Sequence, residues 1–312
     1  MKRYFLCLIC LCLSMQALGQ EMVKVNILEM YSKIPAPPAN VNEGYARAEC
    51  VSSTGVAQPC ETKKYYKPIE DSFVSLAQQL EKLSAVLAMP ANASMMKMDP
   101  EAIKKKMASM SDAKKMQFAM QMTQQMGLGP KALQPESDEV QAALDEYHQI
   151  NQLIAADMQD TSAIARKGQL ILERQRQHEK INEWAQAEHK KIPLVIYGEA
   201  GKFPEPKAAY ALEVKTMEKR LAVENDYLQK LQAQWQAERE QQKARFASFQ
   251  QKLMAIQYGE AAANVEYKRQ LIGGQVWMLG AGQNLLDQSR DATAESARWW
   301  VQKLQLEQKK PR

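Results

Sequence analysis

Two long segments almost free of glycine and proline flank one short loop rich in both. Residues 136–192 contain a single glycine, Gly168, and no proline, and residues 207–258 contain neither. Between them lies Ile192-Pro-Leu-Val-Ile-Tyr-Gly-Glu-Ala-Gly-Lys-Phe-Pro-Glu-Pro206. A backbone that avoids both helix-breaking residues for so long reads as helix. Two matched helices joined by a turn read as an antiparallel hairpin, each arm roughly 80 Å long at about 1.5 Å per residue. That is the frame of a rod or clamp, not of a pocket.

Apolar residues repeat along both arms. The first carries Val140, Leu144, Tyr147, Ile154, Met158, Thr161, Ile164, Gly168, Ile171, His178, Ile181 and Ala185. The second carries Tyr210, Val214, Met217, Leu221, Leu228, Leu231, Trp235, Phe246, Phe249, Leu253 and Ile256. Their steps average about 3.5 residues, the heptad value, so the hairpin over 135–258 is expected to coil left-handedly. Folding about a centre near 198 sets Tyr147 opposite Phe249 and Trp184 near Leu212. The polar run Gln236–Arg245 thins the seam, with Glu238 and Gln242 where apolar knobs normally sit.

Composition agrees with long helices: Ala, Gln, Lys, Glu, Leu and Met dominate, and aromatic residues make up only 7%. The formal net charge of +5 is interleaved along the helical patterns instead of gathered in a block. This excludes nucleic acid as the expected partner.

The amino terminus reads as an export signal, residues 1–19. Lys2 and Arg3 precede an apolar run from Tyr4 to Leu13, and Ala17-Leu-Gly19 offers small residues before a cut at Gln20. The run is about ten residues, half of what a spanning helix needs. No later segment reaches spanning length without charges or glutamines, so no transmembrane span is expected in the mature chain. Cleavage leaves two cysteines, Cys50 and Cys60, which read as a disulfide in an oxidising compartment, periplasmic or extracellular. Closing a loop of about eleven residues stabilises by roughly 2–3 kcal/mol in the chain-entropy model.

The remaining chain divides by its punctuation. Residues 20–66, with Pro35-Ala-Pro-Pro38 and Gly44, read as an irregular leader stapled by that disulfide. Residues 67–133 read as a Met-rich helical region whose first helix opens at Pro68. Residues 259–312 read as a C-terminal helix packed on this base. Within it, Leu271–Gly282 is apolar nearly all round and is expected to be buried, its glycines admitting a neighbouring backbone. Trp299 and Trp300 are expected on different faces. The fold class is all-α: an elongated coiled-coil hairpin on a small helical bundle.

Ten of the eighteen methionines lie between Met89 and Met126. Met95, Met96, Met98, Met107, Met110, Met116, Met120, Met122 and Met126 admit three readings: adaptable packing, a plastic surface for client proteins, or thioether binding of Cu(I). Placed on one helix, the last six scatter around the axis, which weighs against a single groove. His148, His178 and His189 are too spread along one arm to share a metal, and His178 falls in the seam. No HExxH, CxxC, P-loop or GxSxG pattern occurs. The carboxylates read as solvated partners of Lys or Arg at i,i+4. No catalytic, metal or cofactor site and no small-molecule substrate is expected.

The loop 192–206 is the strongest candidate for contact, either as a self-packed turn or as a docking tip. Leu194, Val195, Ile196 and Tyr197, followed by Phe203, are apolar where the chain reverses. The expected function is that of an exported, non-enzymatic assembly component of a bacterial envelope or secretion machine. Its partners would be other envelope proteins or further copies of itself. A periplasmic holdase chaperone and a copper-handling protein are the alternatives.

Overall fold

The computed structural model describes residues 25–49, 62–88, 138–159, 161–196, 201–256 and 265–311. These form seven helices and one two-stranded ribbon, so the protein is all-α in class. In order they are α1 (Ile27–Lys33), α2 (Val41–Arg47), α3 (Lys63–Ala88), α4 (Asp138–Gln159) and α5 (Thr161–His189). Then come β1 (Leu194–Ile196), β2 (Lys202–Pro204), α6 (Pro206–Ala255) and α7 (Val265–Gln308). The signal segment, Cys50, Cys60, Tyr197 and every methionine from Met89 to Met126 lie outside the described residues.

Local chemistry explains several boundaries. Asn40 caps α2, its Oδ1 accepting the Glu43 N–H at 2.9 Å, and Glu43 Oε2 accepts the Ala39 N–H in return. Glu205 caps α6 by accepting from the N–H groups of Lys207 and Ala208, and Pro206 fills the first helical position, where no donor is needed. The leader expected to be irregular therefore holds two seven-residue helices, α1 and α2. Pro68 does not open α3, which begins at Lys63 and carries the proline inside it. The Tyr66 N–H bonds the Thr62 carbonyl ahead of it, and the exposed faces of Lys64 and Pro68 leave water to serve the carbonyl that proline cannot reach. The first arm is assigned as two helices, α4 and α5, with Asp160 outside the described residues.

The chain divides into two compact units. The first comprises residues up to Met30, Phe73–Ile154 and Lys243–Gly280. Phe73, Leu76 and Leu80 of α3, Val140, Leu144 and Ile150 of α4, Phe246, Phe249 and Leu253 of α6, and Leu271 and Met278 of α7 are buried in it. A Cβ at Gly274 would stand 2.4 Å from the Phe249 ring and 3.2 Å from that of Tyr147, and one at Gly273 would stand 3.2 Å from the Tyr147 hydroxyl. These glycines are sockets for rings, not for the backbone that the sequence suggested. Val276 and Trp277 are exposed, so the apolar stretch is not buried all round. Gln250 holds the chain just before and at α1, accepting the Ile27 N–H at 3.1 Å and donating to the Val25 carbonyl at 3.3 Å.

The second unit comprises Tyr31–Ser72, Ala155–Gln242 and Ala281–Arg312. Its buried residues include Tyr31, Val41, Tyr66, Leu221, Leu228, Trp235, Leu285 and Ala292. Trp235 Nε1 donates to the Leu285 carbonyl at 2.8 Å, which satisfies the one polar atom of a fully buried indole. The Tyr66 hydroxyl sits among Ser289 Oγ at 2.9 Å, the Ser289 carbonyl at 3.1 Å and Thr293 Oγ1 at 2.7 Å. A Cβ at Gly44 would fall 1.8 Å from Ser296 Oγ, so α2 meets α7 at backbone distance only because residue 44 has no side chain. Trp299 and Trp300 are both partly buried against the cluster of Val41, Leu221, Leu228 and Ala292.

Polar pairs link α5 to α6 inside this unit. Glu173 meets Lys230, Arg174 and His178 meet Glu224, Asn182 meets Arg220, and the Trp184 ring lies under Lys219. Numbers rise on one helix as they fall on the other. Among the described residues no helix is long and apolar enough to cross a membrane.

Candidate functional site

Two places in the second unit gather residues of possible consequence: the ribbon between α5 and α6, and a charged cluster on the helices themselves. At the end of α5 the turn tightens, with the Lys191 N–H on the Glu188 carbonyl and the Ile192 N–H on His189. Pro193 cannot continue the helix, and the chain extends into β1. Leu194 then pairs with Pro204, Val195 with Phe203 and Ile196 with Lys202, antiparallel. The Pro193 carbonyl accepts the Glu205 N–H at 2.8 Å just outside the ladder. Gly201, with φ of 94°, supplies the left-handed residue that the return requires.

That Glu205–Pro193 bond fixes the phase of the ladder. Hydrogen-bonded and non-bonded pairs alternate between antiparallel strands, so Val195 and Phe203 bond each other inward. The N–H and C=O groups of Leu194 and Ile196 therefore point away from β2. Leu194 is 61% exposed, Ile196 67% and Phe203 49%. Val195 is half-buried. The sequence placed an apolar tip here, and the described part of it is open to solvent.

The charged cluster was not legible beforehand. Glu224 on α6 is only 2% exposed. Arg174 on α5 reaches it with Nε at 2.9 Å and Nη2 at 2.8 Å, a two-pronged grip, and Nη2 also meets Glu295 of α7 at 2.6 Å. His178, one turn along α5, places Nε2 2.6 Å from Glu224 Oε1. Its ring stacks on Trp299 at 5.1 Å and 2°, and the Tyr227 ring lies 4.7 Å from the Arg174 guanidinium. Burial works against the guanidinium's charge, yet bonds to Glu295 and Glu224 hold its pKa above the ordinary value. Burial likewise pushes the Tyr227 phenol up.

Glu224 overturns the expectation that every carboxylate lies on a solvated face. Its signal was present in the numbering, because 224 falls in the apolar stripe between Leu221 and Leu228. A carboxylate in that register must find polar partners on neighbouring helices, and Arg174 and His178 stand one turn apart on α5 to meet it. The notch beside the cluster, lined by Glu173, Arg174, Asp226 and Lys230, holds about 10 Å³, room for a single water. The arrangement can clamp three helices.

In the first unit an open groove of about 500 Å³ is lined by Ala77, Leu80, Ser84, Val276 and Leu279. Among the described residues no group of three or more His, Cys, Asp or Glu side chains could hold a metal ion. No protein-family model, curated protein or solved structure matches this chain.

Proposed function

We propose that the chain is an exported, non-enzymatic assembly component of a bacterial envelope or secretion machine, acting through protein contacts at the ribbon. In this reading α5 and α6 wind as an antiparallel coiled coil, and β1 and β2 close it. The ion pairs and the Arg220–Asn182 hydrogen bond joining the two helices in opposite order support the winding. Export and the Cys50–Cys60 staple rest on the sequence alone.

One observation carries the reading: Leu194 and Ile196 stand side by side on one face of the ribbon at 61% and 67% exposure. Apolar side chains presented together on a solvated tip are the signature of a surface that another molecule covers. A photo-crosslinker at position 194 or 196 in cells should trap one defined band. The crosslinker at 194 combined with Ile196→Ser, and the crosslinker at 196 combined with Leu194→Ser, should each lose that band while leaving the helical circular dichroism intact. A smear of many products, or none, would defeat the proposal.

A smear has its own meaning, because the groove of the first unit favours a second reading. Val276 and Trp277 are exposed beside it, which suits a holdase gripping unfolded clients. Suppression of aggregation of an unrelated denatured enzyme, lost in Trp277→Ser, would establish that function instead.

A further inference from the structure

The two edges of the ribbon are not equivalent. On β2 the outward positions are Lys202 and Pro204, and a proline there offers a carbonyl but no N–H. A lysine and a proline on a strand edge are the usual devices that stop another strand from adding. On β1 the outward positions are Leu194 and Ile196, both with intact N–H groups and uncharged side chains. One edge is blunted and the other is open.

We propose that the β1 edge pairs with the β1 edge of a second copy of this chain, forming a four-stranded antiparallel sheet across a two-fold axis. This deepens the assembly reading above and rests on it for the statement that the ribbon is a contact surface. The register follows from which groups point outward. Two-fold pairing centred on Val195 sets Leu194 opposite Ile196 of the other copy and Ile196 opposite its Leu194. Both are then hydrogen-bonded pairs, so every outward N–H and C=O of Leu194 and Ile196 in both copies is satisfied. Centring on Leu194 sets Ile196 opposite Ile192, whose N–H is already held by the His189 carbonyl, and centring on Ile196 runs Leu194 past the end of the described strand.

The side chains agree with that register. Directly opposed residues share a face, so one face carries Leu194, Ile196, Lys202 and Pro204 of each copy, and the other, wholly apolar, carries Val195 and Phe203. A two-stranded ribbon is marginal in water, whereas more strands with an apolar face hold together. Because the strands pair antiparallel, the α5 helices leading into them depart in opposite directions and do not collide. Such a closed, isologous contact cannot propagate into a fibre.

Area decides how tight the contact is. Stable interfaces bury about 1,600 Å² in total, and two three-residue strands fall well short of that. The dimer is therefore weak in dilute solution and forms where copies are concentrated, as at an assembly site. A contact of this size joins copies already held nearby.

The test is a disulfide trap in the full mature chain. In this register the two Val195 residues face each other as a non-bonded pair about 4.5 Å apart at Cα, inside the range a disulfide spans. Val195→Cys under mild oxidation should give a covalent dimer whose linked peptide maps to position 195 in both copies. Lys202→Cys, on the blunted edge, should not. Wild type on the same gel reports any dimer made through Cys50 and Cys60. Ile196→Pro removes an outward donor without touching the inner ladder, and added to Val195→Cys it should lower the dimer yield at least about tenfold.

Equal linking by Lys202→Cys, or indifference to Ile196→Pro, would overturn the pairing in favour of unspecific apolar contact. Val195→Cys that stays monomeric at high concentration, or links to a different protein in cells, would also overturn it. If one partner band persisted in cells from position 194 or 196, the assembly reading would survive that failure.

Discussion

In the first unit Phe249 of α6 presses on Gly274 of α7, with Tyr147 of α4 against the same glycine. In the second unit the same helix α6 instead places Glu224 among Arg174 and His178 of α5, with Glu295 and Trp299 of α7 beside them. One helix thus packs by shape at one end and by charge at the other. The difference lies in what each tolerates. A ring in a glycine socket resists any change of volume, because no atom can be added or removed without strain or a void. A buried ion cluster resists the loss of one member, yet it can be exchanged whole for apolar residues at little cost.

The sharpest break of this comparison is Phe249→Ala. It empties a site that is fully buried, and it should cost about 4 kcal/mol, read as a drop in the chemical denaturation midpoint. Next is Arg174→Ala, which strips Glu224 of its two-pronged partner inside the protein and should cost about 3 kcal/mol. The joint replacement Arg174→Met, Glu224→Leu, His178→Phe should return stability to within about 1 kcal/mol of the parent or above it. If the joint variant is as damaged as the single one, charge and shape packing do not differ as argued.

Gly274→Ala should cost about 2 kcal/mol, because the new methyl meets the Phe249 ring. Gly280→Ala, six residues on in the same helix, meets nothing within 4 Å and should stabilise by about 0.5 kcal/mol or more. Thermal melts of the pair separate socket from open helix face.

The smallest effect concerns acid. In the first unit the hydrogen bond from Lys252 Nζ to Glu146 at 2.5 Å, helped by Ser248, holds the Glu146 carboxyl below its ordinary pKa. A depressed carboxylate contributes stability that is fully present above its unfolded pKa, about 4.3, and is lost as pH falls through the folded value. Lys252→Met should therefore lessen the stability lost as pH falls below the ordinary glutamate pKa of about 4.3.

Much of the fold was legible because periodicity reports burial. Leu221, Leu228, Trp235, Phe246, Phe249, Leu253 and Ile256, picked from the stripe of the second arm, are all buried. Ile171, picked the same way, is exposed, and Ile150, which was not picked, is buried. A heptad template drifts against a helix of 3.6 residues per turn over such lengths. Leu194, Ile196 and Phe203 are exposed, since a two-stranded ribbon has few neighbours to cover its side chains. What could not be read was anything decided by partners distant in sequence. Glu224 stands out by falling in the apolar stripe, but its partners have no trace in the sequence until α5 and α7 are in place. Gly273 and Gly274 look like gaps for a backbone until the rings of Tyr147 and Phe249 arrive. Tyr66 gives no hint that Ser289 and Thr293 await it.

The bonds that hold the amino-terminal helices carry a temporal consequence. Ile27 is held by Gln250, Val41 by Asn225 and the Pro37 carbonyl by Gln232, separations of 223, 184 and 195 residues. Contacts so remote in sequence cannot form until most of the polypeptide has been synthesised. The portion synthesised first must wait, bare, until α6 has been made. Any chain cut short before residue 225 would leave that portion with none of these three anchors, and a protease should find it there.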